Sequence, residues 1–404
     1  MDAPKTSKPR LHRNVWVTTA TSFLTDISSE MIINILPLFL ANVLGVHTAL
    51  IGLIEGVAET TASLVKVYSG ALSDRLGKRK WLAVLGYGLS TLAKPFLYFA
   101  SSWGWVLGVR FTDRVGKGIR TAPRDALISG SVDEKQRGLA FGLHRAGDTA
   151  GAFIGLGIAA LIIWLTQSGA AQLTRQTFQW IVLASIVPAV LAVLVLALGA
   201  QDVEAPAKQQ RPLSLRQSWN RFTPRFRAFL GVMVLFTLGN SADAFIILRG
   251  QERGLSVLGV MGMLLTFTAI YSALSSPLGA LSDRVGRGKL MLGGWLVYGM
   301  IYLGFAAAQT GGQVWTLFGL YGVYYAATEG TAKALVADLA PQAQRGAAYG
   351  LYHAAVGLSA LPASLIAGLL WQGIGPWAGF GPAAPFLFGA GMALLAAVLF
   401  KRSL

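Results

Sequence analysis

The sequence predicts an all-α polytopic membrane protein, with about twelve transmembrane helices in two pseudo-symmetric six-helix bundles. Three observations carry that prediction: the ratio of apolar to charged residues, the recurrence of long apolar runs, and sequence elements that occur twice at nearly one offset.

Of the 404 residues, 54% are hydrophobic and 13% are charged, about half the charged fraction of a soluble globular domain. Glycine is abundant at 48 residues, which suits closely packed transmembrane helices. Runs of roughly 20 apolar residues cross a hydrocarbon layer of ~30 Å. They fall at 15–44, 49–73, 81–100, 104–128, 139–165 and 178–199. After a polar stretch they resume at 228–248, 257–281, 290–308, 315–339, 347–371 and 383–400. The first run is too long, and too interrupted by Asp26 and Glu30, for a cleaved signal peptide.

A net charge of +16 would suit a nucleic-acid binder, but the placement of the bases argues against that partner. They sit in the N-terminal tail (Lys5, Lys8, Arg10, Arg13), after the second run (Arg75, Lys78, Arg79, Lys80), in the central polar stretch, after the eighth run (Arg284, Arg287, Lys289) and at Lys401 and Arg402. The alternate loops around 46–48, 101–102, 309–313 and 373–381 carry no Lys or Arg. This asymmetry follows the positive-inside rule and predicts a cell (inner) membrane protein with both termini cytoplasmic. The surplus charge is therefore topological, with a weak attraction to anionic membrane lipid.

Cysteine is absent, so disulfides and thiolate metal sites are excluded. The four histidines show no metal-ligand spacing. His12 and His47 read as tail and loop residues, and His353 as cavity-near. A P-loop and a nucleophile–His–acid arrangement are also missing. Neither an enzyme nor a cofactor is expected.

The halves repeat. Gly70-Ala-Leu-Ser-Asp74-Arg75-Leu-Gly77-Lys-Arg-Lys returns as Gly279-Ala-Leu-Ser-Asp283-Arg284-Val-Gly286-Arg-Gly-Lys, and Arg137-Gly-Leu-Ala-Phe-Gly-Leu-His144 as Arg345-Gly-Ala-Ala-Tyr-Gly-Leu-Tyr352. Shared apolar composition does not explain two matches at nearly one offset. The predicted organisation is an N-terminal bundle over 1–200, a cytoplasmic linker over 201–227 with Pro206, Pro212 and Pro224, and a C-terminal bundle over 228–404. A duplicated bundle is an architecture of secondary transporters, with the solute site between the halves.

The doubled G-x-L-S-D-R-x-G-[KR]-x-K element resembles the cytoplasmic loop signature of the major facilitator superfamily (MFS). Arg114-Val-Gly-Lys117-Gly118-Ile-Arg120 resembles the family's second signature, with Lys117 and Arg120 at positions that are usually uncharged. Gly147, Gly151 and Gly155 keep the small-residue spacing of a third signature, but Leu156 stands where that pattern places Pro. The resemblance implies the MFS fold, alternating access, and a gating role for Gly70, Asp74, Arg75, Gly77, Gly279, Asp283, Arg284 and Gly286. It also implies that the fourth helix lines a central cavity.

On the fourth span Arg110, Asp113, Arg114, Lys117, Arg120 and Arg124 recur at spacings of three and four, on one helical face. Each charge turned to lipid near the bilayer centre costs roughly 2.5–3.5 kcal/mol, so the stripe must face water, a counter-charge or a ligand. Arg110, Arg114 and Lys117 are candidate contacts for an anionic, zwitterionic or amphiphilic small solute. The competing reading pairs them with Asp26, Glu30, Asp113 or Glu329 in a purely structural network. Tyr321, Tyr325, Glu329 and Lys333 form a polar-aromatic face of the tenth span, and Asn240 lies on the seventh. Asp26, Glu30, Asp113 and Asp243 are candidate proton carriers, because coupling requires a carboxylate that exchanges its proton between two states. Glu55, Glu59, Lys66 and Lys94 read as structural or gating pairs, and His144 as a contact between the halves.

The expected protein is a monomeric, proton-coupled secondary transporter, with a lean toward efflux. An uptake permease for an organic anion is the alternative. A channel or non-transporting bundle fits less well, since a passive pore needs no matched pair of gates.

Overall fold

A computed structural model describes residues 11–76, 78–133, 136–203, 219, 222–341 and 344–403, excluding the side chains of Ala71, Asp74, Arg75, Leu76 and Ser403. Most of the linker and Gly77 therefore lie outside the described residues. Among the described residues twelve helical rods cross the molecule: α1 Arg13–Val43, α2 Thr48–Leu76, α3 Arg79–Phe99, α4 Trp103–Gly130, α5 Arg137–Gln167, α6 Arg175–Gly199, α7 Pro224–Glu252, α8 Val257–Val285, α9 Arg287–Ala307, α10 Gly311–Leu339, α11 Arg345–Gln372 and α12 Ala384–Ser403. The even number returns both termini to one end of the bundle. That end is called the terminal end and the other the far end.

Local chemistry sets where the rods begin and bend. At the far end Ser102, Thr174, Ser256 and Thr310 cap α4, α6, α8 and α10, each accepting from a first-turn backbone N–H. Thr310 and Gln313 complete a capping box. α1 breaks at Asn34 and Ile35, just before Pro37, and finishes as a π-turn over Phe39–Val43. Pro37 has no N–H to donate and its ring crowds the preceding turn, so a straight helix cannot continue through it. α7 breaks at 240–243. The two breaks occupy equivalent places, since Asn34 and Asp243 are separated by the offset of the doubled loop element.

Within the first half, Gly147, Gly151 and Gly155 lay α5 against α1. A Cβ on Gly155 would stand 3.0 Å from the Cα of Ile27, so the approach requires glycine. The two halves share a device at the terminal end. Arg79 donates to the carbonyl of Ala126 and Arg287 to that of Ala334, and both spans of chain are 47 residues long. Ten rods are long and apolar enough to cross a membrane. α4 and α10, the fourth of each half, are not among those ten.

The halves meet along α2 with α11 and along α5 with α8. Thr48 donates to the Gly368 carbonyl and Thr60 to that of Gly357. On the other flank the Val257 N–H donates to the Ala170 carbonyl. Across the far end Asn42 and Gln251 exchange amide hydrogen bonds of 3.0 and 2.7 Å. Gln251 also donates to the Ala171 carbonyl, and Asn42 accepts from the Leu173 N–H. Among the described residues no hydrogen bond joins the halves nearer the terminal end than those of Thr60 and Arg145. Tyr68 and Leu72, further along α2, stand exposed. The far end is closed and the cavity opens toward the termini.

Candidate functional site

The stripe on α4 divides into paired and open charges. Arg110, 3% exposed, binds Glu55 at 2.6 Å, and Arg114 binds Glu59 at 3.4 Å with Asp113 at 3.9 Å. Glu55 and Glu59 are one turn apart on α2, as Arg110 and Arg114 are on α4, so the pairs form two rungs between these helices. The structural pairing thus comes from α2, not from Asp26, Glu30 or Glu329 as the sequence reading had offered. Arg120 is buried with its guanidinium 4.4 Å from the Tyr87 ring centroid. Arg124 binds Asp125 at 2.8 Å. Lys117 is exposed to the space between the halves and has no ion pair among the described residues.

Behind α4, Lys94 is buried and donates to Ser28 at 2.5 Å and Ser29 at 3.1 Å. On α1, Asp26 has no hydrogen bond or ion pair among the described residues. The charges acting on it are Asp148, Glu30, Arg120 and Lys117. Glu30 accepts from the Asn34 amide at 2.8 Å. Asp243 sits exposed at the break of α7, where the charges acting on it are Glu59, Glu30 and Glu55 of the other half. Asp26 and Glu30 from one half and Asp243 from the other thus bring acids without ion pairs among the described residues to the deep part of the cavity, with Lys117 between them and the opening.

The second half presents rings. Phe267, Phe318 and Tyr321 stack, and Tyr325 meets Phe267 and Tyr271 edge-on. Tyr321 is 1% exposed, and Asn240 accepts from the hydroxyls of Tyr298, Tyr302 and Tyr321 at 3.3–3.5 Å. Both therefore face the interior of their own bundle in this conformation, and Tyr325 is the partly open ring. Glu329 binds Lys333 at 2.9 Å. It also accepts a hydrogen bond from the Tyr271 hydroxyl and, across the halves, a 3.4 Å contact from Arg145. Arg145 in turn donates to Tyr271.

His144 is buried and paired with Asp148 on its own helix at 3.4 Å. The cross-half contact expected of His144 is made by its neighbour Arg145. Sequence reasoning missed Tyr271 and the Asn42–Gln251 clasp. A signal for the clasp existed, because these two amides lie 209 residues apart, the offset between Gly70 and Gly279.

At the loop elements, the side chains of Asp74 and Arg75 and all of Gly77 lie outside the described residues, and Gly70 is in α2. In the second copy Asp283 accepts from Arg287 at 3.1 Å, and Arg287 also binds Asp338 at 2.5 Å. Arg284 is exposed. Arg287, which the signature reading did not single out, ties α8, α9 and α10 together. Gly286 turns the loop at φ +98°, where an L side chain would be strained.

The profile of the Major Facilitator Superfamily matches residues 18–270 and 228–403. An uncharacterized MFS-type transporter of Methanocaldococcus jannaschii is 36% identical, over 96% of this chain and 94% of its own. A multi-drug resistance efflux pump homolog of Lactococcus lactis is 24% identical, over 82% of this chain and 81% of its own. Among solved structures the nucleoside transporter NupG superposes with a TM-score of 0.80 at 13% identity, covering 96% of this chain and 99% of that one. That last likeness concerns the fold.

Proposed function

We propose that this chain, which belongs to the Major Facilitator Superfamily, carries a small organic anion together with protons by alternating access. The observation that carries the reading is the state of the α4 cations. Arg110 and Arg114 are neutralised by Glu55 and Glu59, while Lys117 stands open without an ion pair among the described residues. An anionic solute supplies the missing charge, and the partly open Tyr325 offers its ring to an apolar body.

Asp26, Glu30 and Asp243 are acids without ion pairs around the same space. Protonating them leaves the cavity more positive and so favours the anion. By linkage the bound anion favours the protons equally. Proton and anion then move the same way, which supports uptake over export. The terminal end is assigned to the cytoplasm of a cell (inner) membrane by the distribution of bases. The far-end clasp of Asn42 and Gln251 parts once in each cycle.

A second reading, export of an amphiphile, has two supports: the similarity to the Lactococcus efflux pump homolog and the acids facing each other at Asp243. One experiment separates them. Purified protein in liposomes loaded with a pH dye is challenged with aromatic carboxylates and with drug-like cations, with no pH gradient imposed. Cotransport acidifies the interior on addition of an anion, whereas exchange with cations alkalinises it. Lys117→Gln should weaken the anion response about tenfold or more, the scale of a hydrogen bond to a charged group. A response unchanged in that variant removes Lys117, and a cation-only response overturns the anion.

A further inference from the structure

A cleft of about 530 Å³ lies between α5 and α8, lined in part by Arg145, Thr149, Phe153, Tyr271, Ser272 and Ser275. Its outer wall belongs to a lipid-facing surface. Ala146, Ala150 and Phe153 are exposed, and the same stripe continues at helical spacing to the exposed Leu161 and Trp164. Its inner wall is hydroxylic and ends at Arg145. The cleft therefore opens sideways into the bilayer and has a polar floor.

Charge and depth both match one kind of occupant. Among the described residues Arg145 is the one charged residue lining the cleft. Arg145 shares the carboxylate of Glu329 with Lys333, and the charge of Asp148, which sits against His144, acts on it more weakly. The Arg145 side chain is 57% exposed, against 27% for Glu329. Arg145 lies eight residues into α5, about 12 Å from the helix start. A 31-residue helix centred on a ~30 Å hydrocarbon layer overhangs it by roughly 8 Å at each end. The guanidinium thus starts only about 4 Å inside the hydrocarbon boundary, within reach of the head-group layer.

We propose that the α5–α8 cleft is a binding site for an anionic phospholipid, whose phosphate binds Arg145 and the neighbouring hydroxyls while its chains follow Phe153 into the membrane. Arginine suits a phosphate through paired N–H donors. The lipid then competes with Glu329 for Arg145, at the one ion pair between the halves among the described residues.

The chain has no cysteine, so Thr149→Cys reports on the cleft alone. In neutral detergent its reaction with N-ethylmaleimide should slow about threefold when dioleoylphosphatidylglycerol is added at about twice its dissociation constant. Dioleoylphosphatidylcholine and glycerol 3-phosphate at equal concentration should protect little. Arg145→Gln should abolish the protection and Arg145→Lys should keep most of it. Glu329→Gln, which frees the arginine, should bring protection at lower lipid concentration. Size-exclusion profiles identify any variant that fails to fold, and Glu329→Gln tests the idea in the opposite direction from Arg145→Gln. Equal protection by the neutral lipid, or protection that survives Arg145→Gln, would overturn the site. Equal protection by glycerol 3-phosphate would overturn the lipid as its occupant.

Discussion

α4 and α10 hold the same place in the two halves, and both fall outside the ten helices apolar enough to cross a membrane, for opposite reasons. With the offset set by the matched Arg79 and Arg287 contacts, Arg110, Asp113 and Lys117 of α4 correspond to Phe318, Tyr321 and Tyr325 of α10. One helix is polar because it is charged, the other because it is lined with phenols. The contact made by Arg79 and Arg287 is common to both halves, whereas these three residues differ. The duplicated bundle thus carries charge at these positions in one half and rings in the other.

The largest expected effect breaks the charged wall. Glu55→Gln leaves Arg110 buried without its carboxylate, which costs about 3–5 kcal/mol, and the apparent unfolding temperature in detergent should fall accordingly. The double variant Arg110→Phe with Glu55→Leu copies the counterpart ring into α4 and removes both charges. It should recover most of that loss, because a buried pair replaced by apolar groups is often neutral. If the double variant is as unstable as the single one, the two walls are not interchangeable and the comparison fails.

The next effect concerns the contact that joins equivalent positions of the halves. Gln251→Ala removes both hydrogen bonds to Asn42 and the one to Ala171, each contributing about 0.5–1.5 kcal/mol. A net bias of about 1.4 kcal/mol moves the balance of open and closed far ends tenfold. A cysteine at position 117 should then react about tenfold faster with an impermeant maleimide from the far side. An Asn42→Cys, Gln251→Cys pair, oxidised to a disulfide, should abolish that reaction. An unchanged rate in Gln251→Ala would mean that the closed end is held by the α2–α11 contact instead.

The sequence made the fold legible because membrane crossing leaves a coarse signal. Apolar runs, base-free loops and a doubled element do not depend on which residue touches which. The division of the α4 stripe was hidden for the opposite reason. Glu55 and Glu59 have the right spacing, but nothing in the chain says that α2 turns them toward Arg110 and Arg114 rather than toward α11. Likewise Asn240 reads as a cavity amide until three hydroxyls from α9 and α10 are seen to converge on it. Arg145 and His144 are adjacent in sequence, and only the helix rotation decides which one crosses to the other half.

The smallest expected effect tests the aromatic wall. Tyr321→Phe deletes one hydroxyl whose acceptor, Asn240, keeps those of Tyr298 and Tyr302. The ring still stacks on Phe318 and Phe267. No acceptor is stranded, and the lost bond is long at 3.5 Å, so stability should fall by about 0.5 kcal/mol, the lower bound for such a bond. Asn240→Ala should cost more, because it takes the acceptor from the buried Tyr302 and Tyr321 while Tyr298 keeps the Gly239 carbonyl, at about 1–3 kcal/mol for an unsatisfied group. The order of the two variants in a thermal unfolding series is the measurement. If Tyr321→Phe proves the more damaging, its hydroxyl has a role beyond packing, and the ring wall joins the charged wall in handling polar groups.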